Sequence, residues 1–296
     1  MPTAPTAPAA GYLTSLAGLC RPHIVAIAGL AAVVFGWFFG GRLSAAAGLV
    51  AALDWFLLNL WNRLADVPED RRNGVAGVEW AARHGPAIGF SALAVFAASL
   101  LATFRFGPWL LGLRLAFQLG GFAYSFSIFG VKRLKDRVGV KNVASAVLFL
   151  ISVFGYPLAI GHDPFPRPIE LAFLAAFFVP FEITYELIYD LRDIEGDLAA
   201  GLWTVPILLG DEGTRGLIRG LLWACALALV AGFATGSLRF AELAMIAAPI
   251  QQAILLRWPL GRVTAKGAVF ATWMGAGQLA TFILWVAAGL PLGPGR

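Results

Sequence analysis

The chain has 296 residues, of which 59% are hydrophobic and 13% are charged, and its formal net charge at pH 7 is +5. An ordinary soluble domain carries about 25% charged residues, so this composition excludes that class and indicates an integral membrane protein. The positive charge does not indicate nucleic acid as a partner, because no nucleic-acid-binding motif interrupts the apolar runs.

Residues 1–12 are rich in Pro, Ala and Thr and are predicted to be disordered, whereas residues 13–296 are predicted to form a single transmembrane helical domain. Apolar runs near the length of about 20 residues that crosses a bilayer predict nine helices. Polar segments follow the second and sixth helices, at about 66–85 and 191–213, and the Pro-rich stretch 164–168 is predicted to be an external turn. The helices are predicted at about 24–41, 43–65, 86–104, 107–130, 142–160, 169–190, 214–235, 238–256 and 266–289.

One acidic pattern occurs twice, each time directly after a long apolar run. Both copies read L-x-D-[VI]-x-x-D-x-x-x-G, and they begin at Leu64 and Leu191. Residues four apart share a helix face, so the two aspartates of each copy are predicted to lie side by side. Asn62 extends the first row by one turn, and Asp190 extends the second. The motif aspartates are Asp66, Asp70, Asp193 and Asp197.

Carboxylates stacked in this way repel one another and need a compensating cation. Oxygen ligands of this kind suit hard divalent ions, and magnesium is commonly held by one or two carboxylates together with phosphate oxygens. Basic side chains at the same end of the bundle would complete a site for a diphosphate, and the apolar helices beside it would hold a lipid chain. The basic residues that can reach this end are Arg21, Arg63, Arg72, Lys132 and Arg133.

The basic residues between the predicted helices indicate the orientation of the chain. The side that holds the N-terminus and the loops after the even-numbered helices carries about 16 of them, and the opposite side about six, with Arg114 counted among the six. By the positive-inside rule the first side is cytoplasmic. The sequence therefore predicts a multi-pass membrane protein whose two acidic motifs both lie at the cytoplasmic end.

The two motifs resemble the signatures of the UbiA superfamily of intramembrane prenyltransferases. Asn62, Asp66 and Asp70 match the first signature, and Asp193-Ile-Glu-Gly-Asp197 with the following segment 201–210 is similar to the second. The Arg-Pro-His sequence at 21–23 and the segment 124–133 are also similar, and the resemblance covers roughly residues 15–290. It implies an all-α membrane protein with nine transmembrane helices around a central cavity that opens to the cytoplasmic side and laterally to the lipid.

The activity implied by this resemblance is the magnesium-dependent transfer of a prenyl group from a prenyl diphosphate to an aromatic or quinone-precursor acceptor. The four motif aspartates would be catalytic, and together with Asn62 they would hold magnesium. The diphosphate would be bound by Arg21, Arg72, Lys132 and Arg133, and the substrate pocket would be lined by Tyr124, Tyr189 and Asp190.

The chain departs from the family pattern in two places. Arg63 stands directly after the motif asparagine, where family members often have aspartate, and it either adds a phosphate contact or points outward. The segment 73–85 replaces a Pro- and Arg-rich tract, which leaves the acceptor open. Glu182, Tyr185 and Glu186, near the end of the sixth predicted helix, are further candidates for side chains that face the cavity.

Two alternatives to an aromatic acceptor follow from the same residues. A superfamily member with a non-aromatic acceptor would carry out glycerol-phosphate or phosphoribosyl transfer involving a polyprenyl lipid, and the extra arginines near the first motif favour it. A cation-coupled transporter would use the acidic rows as an ion path, but it would need polar residues through the depth of the membrane. The acidic motifs instead collect at one end, which favours an enzyme.

Overall fold

The computed structural model describes residues 18–72, 75–127, 130–161, 167–199, 201–257 and 263–291. The tail at 1–12, predicted to be disordered, lies outside these residues, as does most of the turn predicted at 164–168. The long helices are α1 (Pro22–Gly40), α2 (Ala45–Ala65), α3 (Val78–Thr103), α4 (Pro108–Ser125), α5 (Val140–Gly161), α6 (Pro168–Ala199), α7 (Val205–Ala234), α8 (Phe240–Arg257) and α9 (Ala265–Ala287).

A long helix therefore lies at each of the nine predicted positions. Among the described residues, eight of these helices are long and apolar enough to cross a membrane, and α4 is not one of the eight. Nine crossings remain a prediction for this reason. Large apolar side chains lie on the outside of the bundle, such as Phe90 with 76% and Trp223 with 71% of its surface exposed, as expected for contact with lipid.

The helices form a closed ring, because each long helix contacts the next one in the chain and α9 contacts α1. The backbones of α1 and α2 approach each other closely at Gly29 and Gly48. A Cβ atom added at Gly48 would lie 3.0 Å from the carbonyl oxygen of Gly29 and 2.6 Å from a methyl group of Val33. Glycine at position 48 therefore allows the two helices to pack closely, and a larger residue there would push them apart.

Local chemistry explains where several helices begin. Proline occupies the first turn of α1 and α4, where its missing N–H costs no hydrogen bond. The side chain of Ser44 accepts a hydrogen bond of 3.2 Å from the N–H of Ala47 at the start of α2. Thr264 caps α9 in the same way, accepting from the N–H of Gly267 at 3.1 Å.

A buried polar cluster joins α2, α4 and α5 away from the acidic motifs. Arg114 donates to both oxygens of Asp54, at 2.9 and 2.6 Å, and the hydroxyl of Tyr156 donates to Asp54 at 2.7 Å. All three side chains are fully buried. The prediction that counted Arg114 among the basic residues of the non-cytoplasmic side was therefore wrong. Arg114 lies on α4 in the interior of the bundle, where the buried carboxylate of Asp54 neutralises its charge.

Three predicted boundaries also change in ways that matter for the motifs. The polar segment predicted at 66–85 becomes helical again at Val78, where α3 begins. The sixth helix does not end near residue 190 but continues to Ala199, so the second motif lies on α6 itself. The seventh helix begins at Val205 rather than near residue 214, with a break at Gly210. These polar segments are helical because they lie at the end of the bundle, where polar side chains need not be buried among apolar ones.

Candidate active site

The two acidic motifs meet at one end of the bundle. The first lies at the end of α2 and the second at the end of α6. The charges of Glu69, Asp190 and Asp193 all act on Asp197, so a carboxylate of the first motif segment lies within electrostatic range of the second motif. The fold thus brings together two acidic segments that are far apart in the sequence.

The first motif is divided by a break in the helix. Helix α2 ends at Ala65, and Asp66 is its C-terminal cap, whose N–H donates to the carbonyl of Asn62 at 2.9 Å. A short helix, Val67–Arg72, then carries Asp70, whose N–H donates to the carbonyl of Asp66 at 2.7 Å. Asn62, Asp66 and Asp70 therefore stay in one row although the regular helix is interrupted.

Two basic residues from the segment after α4 neutralise Asp66. Lys135 forms an ion pair with Asp66 and donates to the side-chain oxygen of Asn62 at 3.1 Å. Arg133 donates to Asp66 at 3.2 Å and to Glu69 at 2.7 Å. Burial lowers the pKa of Lys135, and the charge of Asp66 opposes that effect. Burial also works against the charge of Arg133, but hydrogen bonds to Asp136 and Glu69 outweigh it and raise the pKa of Arg133.

Sequence reasoning missed Lys135, which lies in the same basic loop as the residues it selected. Lys132 and Arg72, both predicted to bind the diphosphate, have exposed side chains. The backbone forms a short 3-10 turn at Leu134–Asp136 that directs Lys135 to the first motif. Such a turn has no clear signal in the sequence.

Arg63 is also part of the site and does not point outward. Its side chain is buried, with 8% of the residue exposed. It donates to Asp70 at 2.6 Å and to the carbonyl oxygen of Gly18, just before α1, at 3.1 Å. Arg63 therefore links the first motif to the segment that leads into α1.

One buried carboxylate oxygen of the second motif has no hydrogen-bond partner among the described residues. Asp193 accepts a hydrogen bond of 2.6 Å from Nε of the neighbouring Arg192. Asp197 has a buried oxygen, Oδ2, that accepts no hydrogen bond from the described residues. A buried, unsatisfied carboxylate oxygen is costly unless a cation or donor binds it, so this atom points to a ligand.

The residues predicted to line the substrate pocket lie directly below the motifs. Asp190 forms an ion pair with Lys141 and accepts from Asn142 at 2.9 Å, whereas the hydroxyl of Tyr189 lies 2.8 Å from the hydroxyl of Thr272. The charges of Glu186, Lys141 and Asp190 act on Tyr124, which places that residue in the same group.

Arg21 lies at the same end and adopts an unusual backbone conformation. Its φ of 45° is the one positive value at a non-glycine residue among the described residues. Its carbonyl accepts from the N–H groups of Ile24 and Val25, at 2.9 and 3.3 Å, at the start of α1. Its charge acts on Tyr189 and Tyr124. Strained conformations of this kind are often found at functional sites.

An apolar cavity of about 680 Å³ begins below these residues and continues toward the opposite end of the bundle. It lies between α1, α6, α8 and α9. On α6 its wall ends at Tyr185, eight residues before Asp193, which corresponds to about 12 Å along a helix. Its wall also includes Glu182, Phe35, Phe178, Trp273, Phe282 and Trp285.

The donor set at the motif end suits a hard divalent cation. Within the described ranges, no three His, Cys, Asp or Glu side chains converge closely enough to hold a metal ion. Arginine and lysine side chains bind the first-motif carboxylates instead. The available ligands are carboxylate and amide oxygens, which magnesium prefers, and they include the buried Oδ2 of Asp197, which has no hydrogen-bond partner among the described residues.

Comparison with known proteins agrees with this reading of the motifs. The model of the UbiA prenyltransferase family matches residues 23–276. No curated protein matches the chain by sequence.

Solved structures share the fold at low sequence identity. A UbiA homologue from Archaeoglobus fulgidus bound to DMAPP and Mg²⁺ is 18% identical, with a TM-score of 0.70 over 93% of this chain and 100% of that one. The apo structure of a UbiA homologue from Aeropyrum pernix K1 is 18% identical, with a TM-score of 0.66 over 88% and 96% of the two chains. A digeranylgeranylglyceryl phosphate synthase is 15% identical, with a TM-score of 0.59 over 92% and 95%.

Proposed function

Because the chain belongs to the UbiA prenyltransferase family, we propose that it transfers a prenyl group from a prenyl diphosphate to an aromatic or quinone-precursor acceptor, using magnesium. The meeting of the two acidic motifs supports this most directly, since Glu69 and Asp197 lie within electrostatic range. We place this end of the bundle on the cytoplasmic side, because the basic loop residues collect there.

Five side chains are assigned to magnesium: Asn62, Asp66, Asp70, Asp193 and Asp197. Magnesium bound there would supply positive charge that stabilises the departing diphosphate. Related structures from Archaeoglobus fulgidus carry Mg²⁺ together with GPP or DMAPP. In this chain the unsatisfied Oδ2 of Asp197 is the atom that most needs such a ligand.

The basic residues at the motif end are assigned to the diphosphate. Arg133 and Lys135 contact Asp66, so their remaining N–H groups lie beside the position assigned to the diphosphate. Arg21 lies at the start of α1, where its charge acts on Tyr124 and Tyr189. Arg72 and Lys132, which are exposed, are assigned to the rim of the same basic surface. Guanidinium and ammonium groups bind phosphate oxygens with charge-assisted hydrogen bonds.

The aromatic side chains below the motifs are assigned to stabilising the positive charge that develops on the allylic carbon of the prenyl diphosphate. As the bond between the allylic carbon and the diphosphate oxygen breaks, the carbon gains cationic character, and the faces of Tyr124 and Tyr189 stabilise it. The acceptor then forms a bond to this carbon and releases a proton. The segment from Gly130 to Gly139 lies over the motif end through Arg133 and Lys135, and it limits access of water.

The apolar cavity is assigned to the prenyl chain and the acceptor. It begins about 12 Å below Asp193 along α6 and is walled by aromatic and aliphatic side chains. A transporter is disfavoured because the fully buried charged pair of Asp54 and Arg114 is mutually neutralised rather than open to a path. A phosphorylated acceptor is disfavoured because no Lys, Arg or His side chain is among the described residues that line the cavity.

A transfer assay with purified protein in lipid nanodiscs tests this proposal. Labelled geranyl and farnesyl diphosphates are offered with aromatic, glycerol-phosphate and ribose-phosphate acceptors, with magnesium or with EDTA. We expect a prenylated aromatic product that needs magnesium and disappears in Asp66→Ala and Asp193→Ala. Product formation that is unaffected by EDTA and by both substitutions would contradict the proposal.

A further inference from the structure

The apolar cavity ends in a floor at the end of the bundle opposite the motifs. The floor consists of side chains from the last turn of α1, the first turn of α8 and the lower part of α9, and they are Phe38, Ala241 and Phe282. The ring centroids of Phe38 and Phe282 lie 5.3 Å apart. These side chains are apolar, so the floor limits a hydrocarbon chain by contact.

A charged cluster holds the floor in place. Nε of Arg239 donates to Glu242 at 2.7 Å, and Nη2 of the same side chain donates to the carbonyl oxygen of Phe38 at 3.0 Å. Glu170, at the start of α6, lies 3.9 Å from this guanidinium. Glu170 and Glu242 are both buried, so breaking their contacts with Arg239 is costly. One guanidinium therefore ties the ends of α1, α6 and α8 together, and Phe38 resists displacement by a chain that reaches it.

Two helices give the same distance from the motif end to the floor. On α1 the cavity wall extends over residues 27–38, which lie about 9–26 Å beyond Arg21 along the helix axis. On α6 the wall extends over residues 177–185, which lie about 12–24 Å before Asp193. The cavity therefore begins about 10 Å from the motif end, and its floor lies about 25 Å away.

An extended prenyl chain can be measured against these two distances. A fully extended polypeptide advances about 3.5 Å over three bonds, so the four main-chain bonds of one isoprene unit advance about 5 Å. A chain of one or two units therefore ends above the cavity, and a chain of five units reaches the floor. Chains of four or five units occupy most of the depth of the cavity.

We infer that the prenyl donor of this protein has four or five isoprene units, and that Phe38 sets the upper limit of chain length. This inference rests on the proposed prenyl transfer and narrows its donor to long-chain prenyl diphosphates. A shorter chain forgoes contacts with the lower wall, and a longer chain is forced against a floor that Arg239 holds in place.

Binding of unreactive donors of graded length tests the inference separately from transfer. The probes are S-thiolodiphosphates with two, four and eight isoprene units, and each competes with the tritiated four-unit probe on protein in nanodiscs, with magnesium and without acceptor. At equal mole fraction in the bilayer, wild-type protein is expected to bind the four-unit probe about tenfold more tightly than the eight-unit probe, the usual scale of an overpacking penalty.

Substitutions at two depths of the cavity separate chain length from general binding. Ala31 and Ala248 line the cavity from α1 and α8, about halfway between the motif end and the floor. Ala31→Phe and Ala248→Phe are each expected to weaken the four-unit probe about tenfold and to leave the two-unit probe unchanged, because only the longer chain reaches that depth. Phe38→Ala is expected to bind the eight-unit probe more tightly than wild type. Ala224→Phe is the matched control, because Ala224 is exposed on α7, outside the described wall.

Equal binding of the four- and eight-unit probes to wild-type protein would overturn the inference, as would equal losses of the two- and four-unit probes in the alanine variants. If one alanine variant does not fold, the other decides, since the two positions line the same depth from different helices. The probes do not react, so a protein that shows this length dependence but transfers no prenyl group would refute the proposed function and leave the length limit standing. Transfer that is equally efficient with two-, four- and eight-unit donors would refute the length limit alone.

Discussion

Arg63 Nη1 donates a hydrogen bond of 2.6 Å to Oδ2 of Asp70, seven residues further along the chain. The same guanidinium donates through Nε to the carbonyl oxygen of Gly18 at 3.1 Å. Arg63 thereby fixes the last carboxylate of the first motif relative to the segment before α1. Arg63 is one of the two places where the sequence departs from the family pattern, and this departure places a cation inside the site.

Removing that cation is expected to destabilise the protein. In Arg63→Ala, Asp70 stays buried, with 7% of its surface exposed, and loses its ion-pair partner. Breaking a buried pair in this way costs about 3 kcal/mol. Thermal unfolding in magnesium-free buffer would show it, and the double variant Arg63→Ala/Asp70→Asn should recover most of the loss. If the double variant unfolds at the same temperature as Arg63→Ala, the unpaired charge of Asp70 is not the cause of the loss.

The buried cluster around Asp54 is expected to stabilise the bundle without serving catalysis. Arg114→Met should lower the free energy of unfolding by about 3–5 kcal/mol, because Asp54 is left as an uncompensated charge with no exposed surface. The double variant Arg114→Met/Asp54→Asn keeps an acceptor for Tyr156 and should recover the stability and the transfer activity. A double variant that is stable but inactive would instead place this cluster in the reaction.

Lys135 and Lys132 provide a matched pair for the diphosphate site. Lys135 contacts Asp66 and Asn62, whereas Lys132 is exposed in the same loop. Lys135→Met is expected to reduce kcat/KM for the prenyl diphosphate about 100-fold, the usual loss when one aligned donor is removed, and Lys132→Met by much less. Steady-state transfer rates over a range of donor concentrations check this, and similar losses for the two variants would refute the assignment.

The close approach of Gly275 to Tyr185 is expected to determine how long a prenyl chain the cavity can hold. A Cβ atom at position 275 would lie 2.6 Å from the Tyr185 hydroxyl, and both residues line the cavity. Gly275→Val should therefore displace Tyr185 and narrow the cavity. Transfer from geranylgeranyl diphosphate is expected to fall by more than transfer from dimethylallyl diphosphate. Equal losses with both donors would indicate a general effect on folding.

The sequence predicted the positions of the long helices and the placement of both acidic motifs at one end of the bundle, because both depend on local patterns. Apolar runs give α1 to α9, and repeated carboxylates identify the motif end. It did not predict that Arg114 pairs with Asp54, since the two are 60 residues apart and only the packed ring brings them together.

The sequence also could not show which of two neighbouring lysines in the loop contacts the first motif. Lys132 and Lys135 have the same chemistry, and a single turn of backbone decides which of them meets Asp66. The unpartnered state of Asp197 Oδ2 likewise depends on what this atom faces in the folded bundle. Side-chain surroundings of this kind have no periodic pattern from which they can be derived.

Counting bound metal ions tests most directly whether the two motifs form one site. Manganese replaces magnesium, and the free ion is counted by electron paramagnetic resonance in the presence of the unreactive analogue geranyl S-thiolodiphosphate. The account predicts that Asp66→Asn and Asp197→Asn each abolish nearly all of the manganese binding seen in the wild type, because the ions are shared. If each variant loses only some of the bound manganese, and the remaining ions bind at the other motif with wild-type affinity, the two motifs are independent sites. That result would contradict the account.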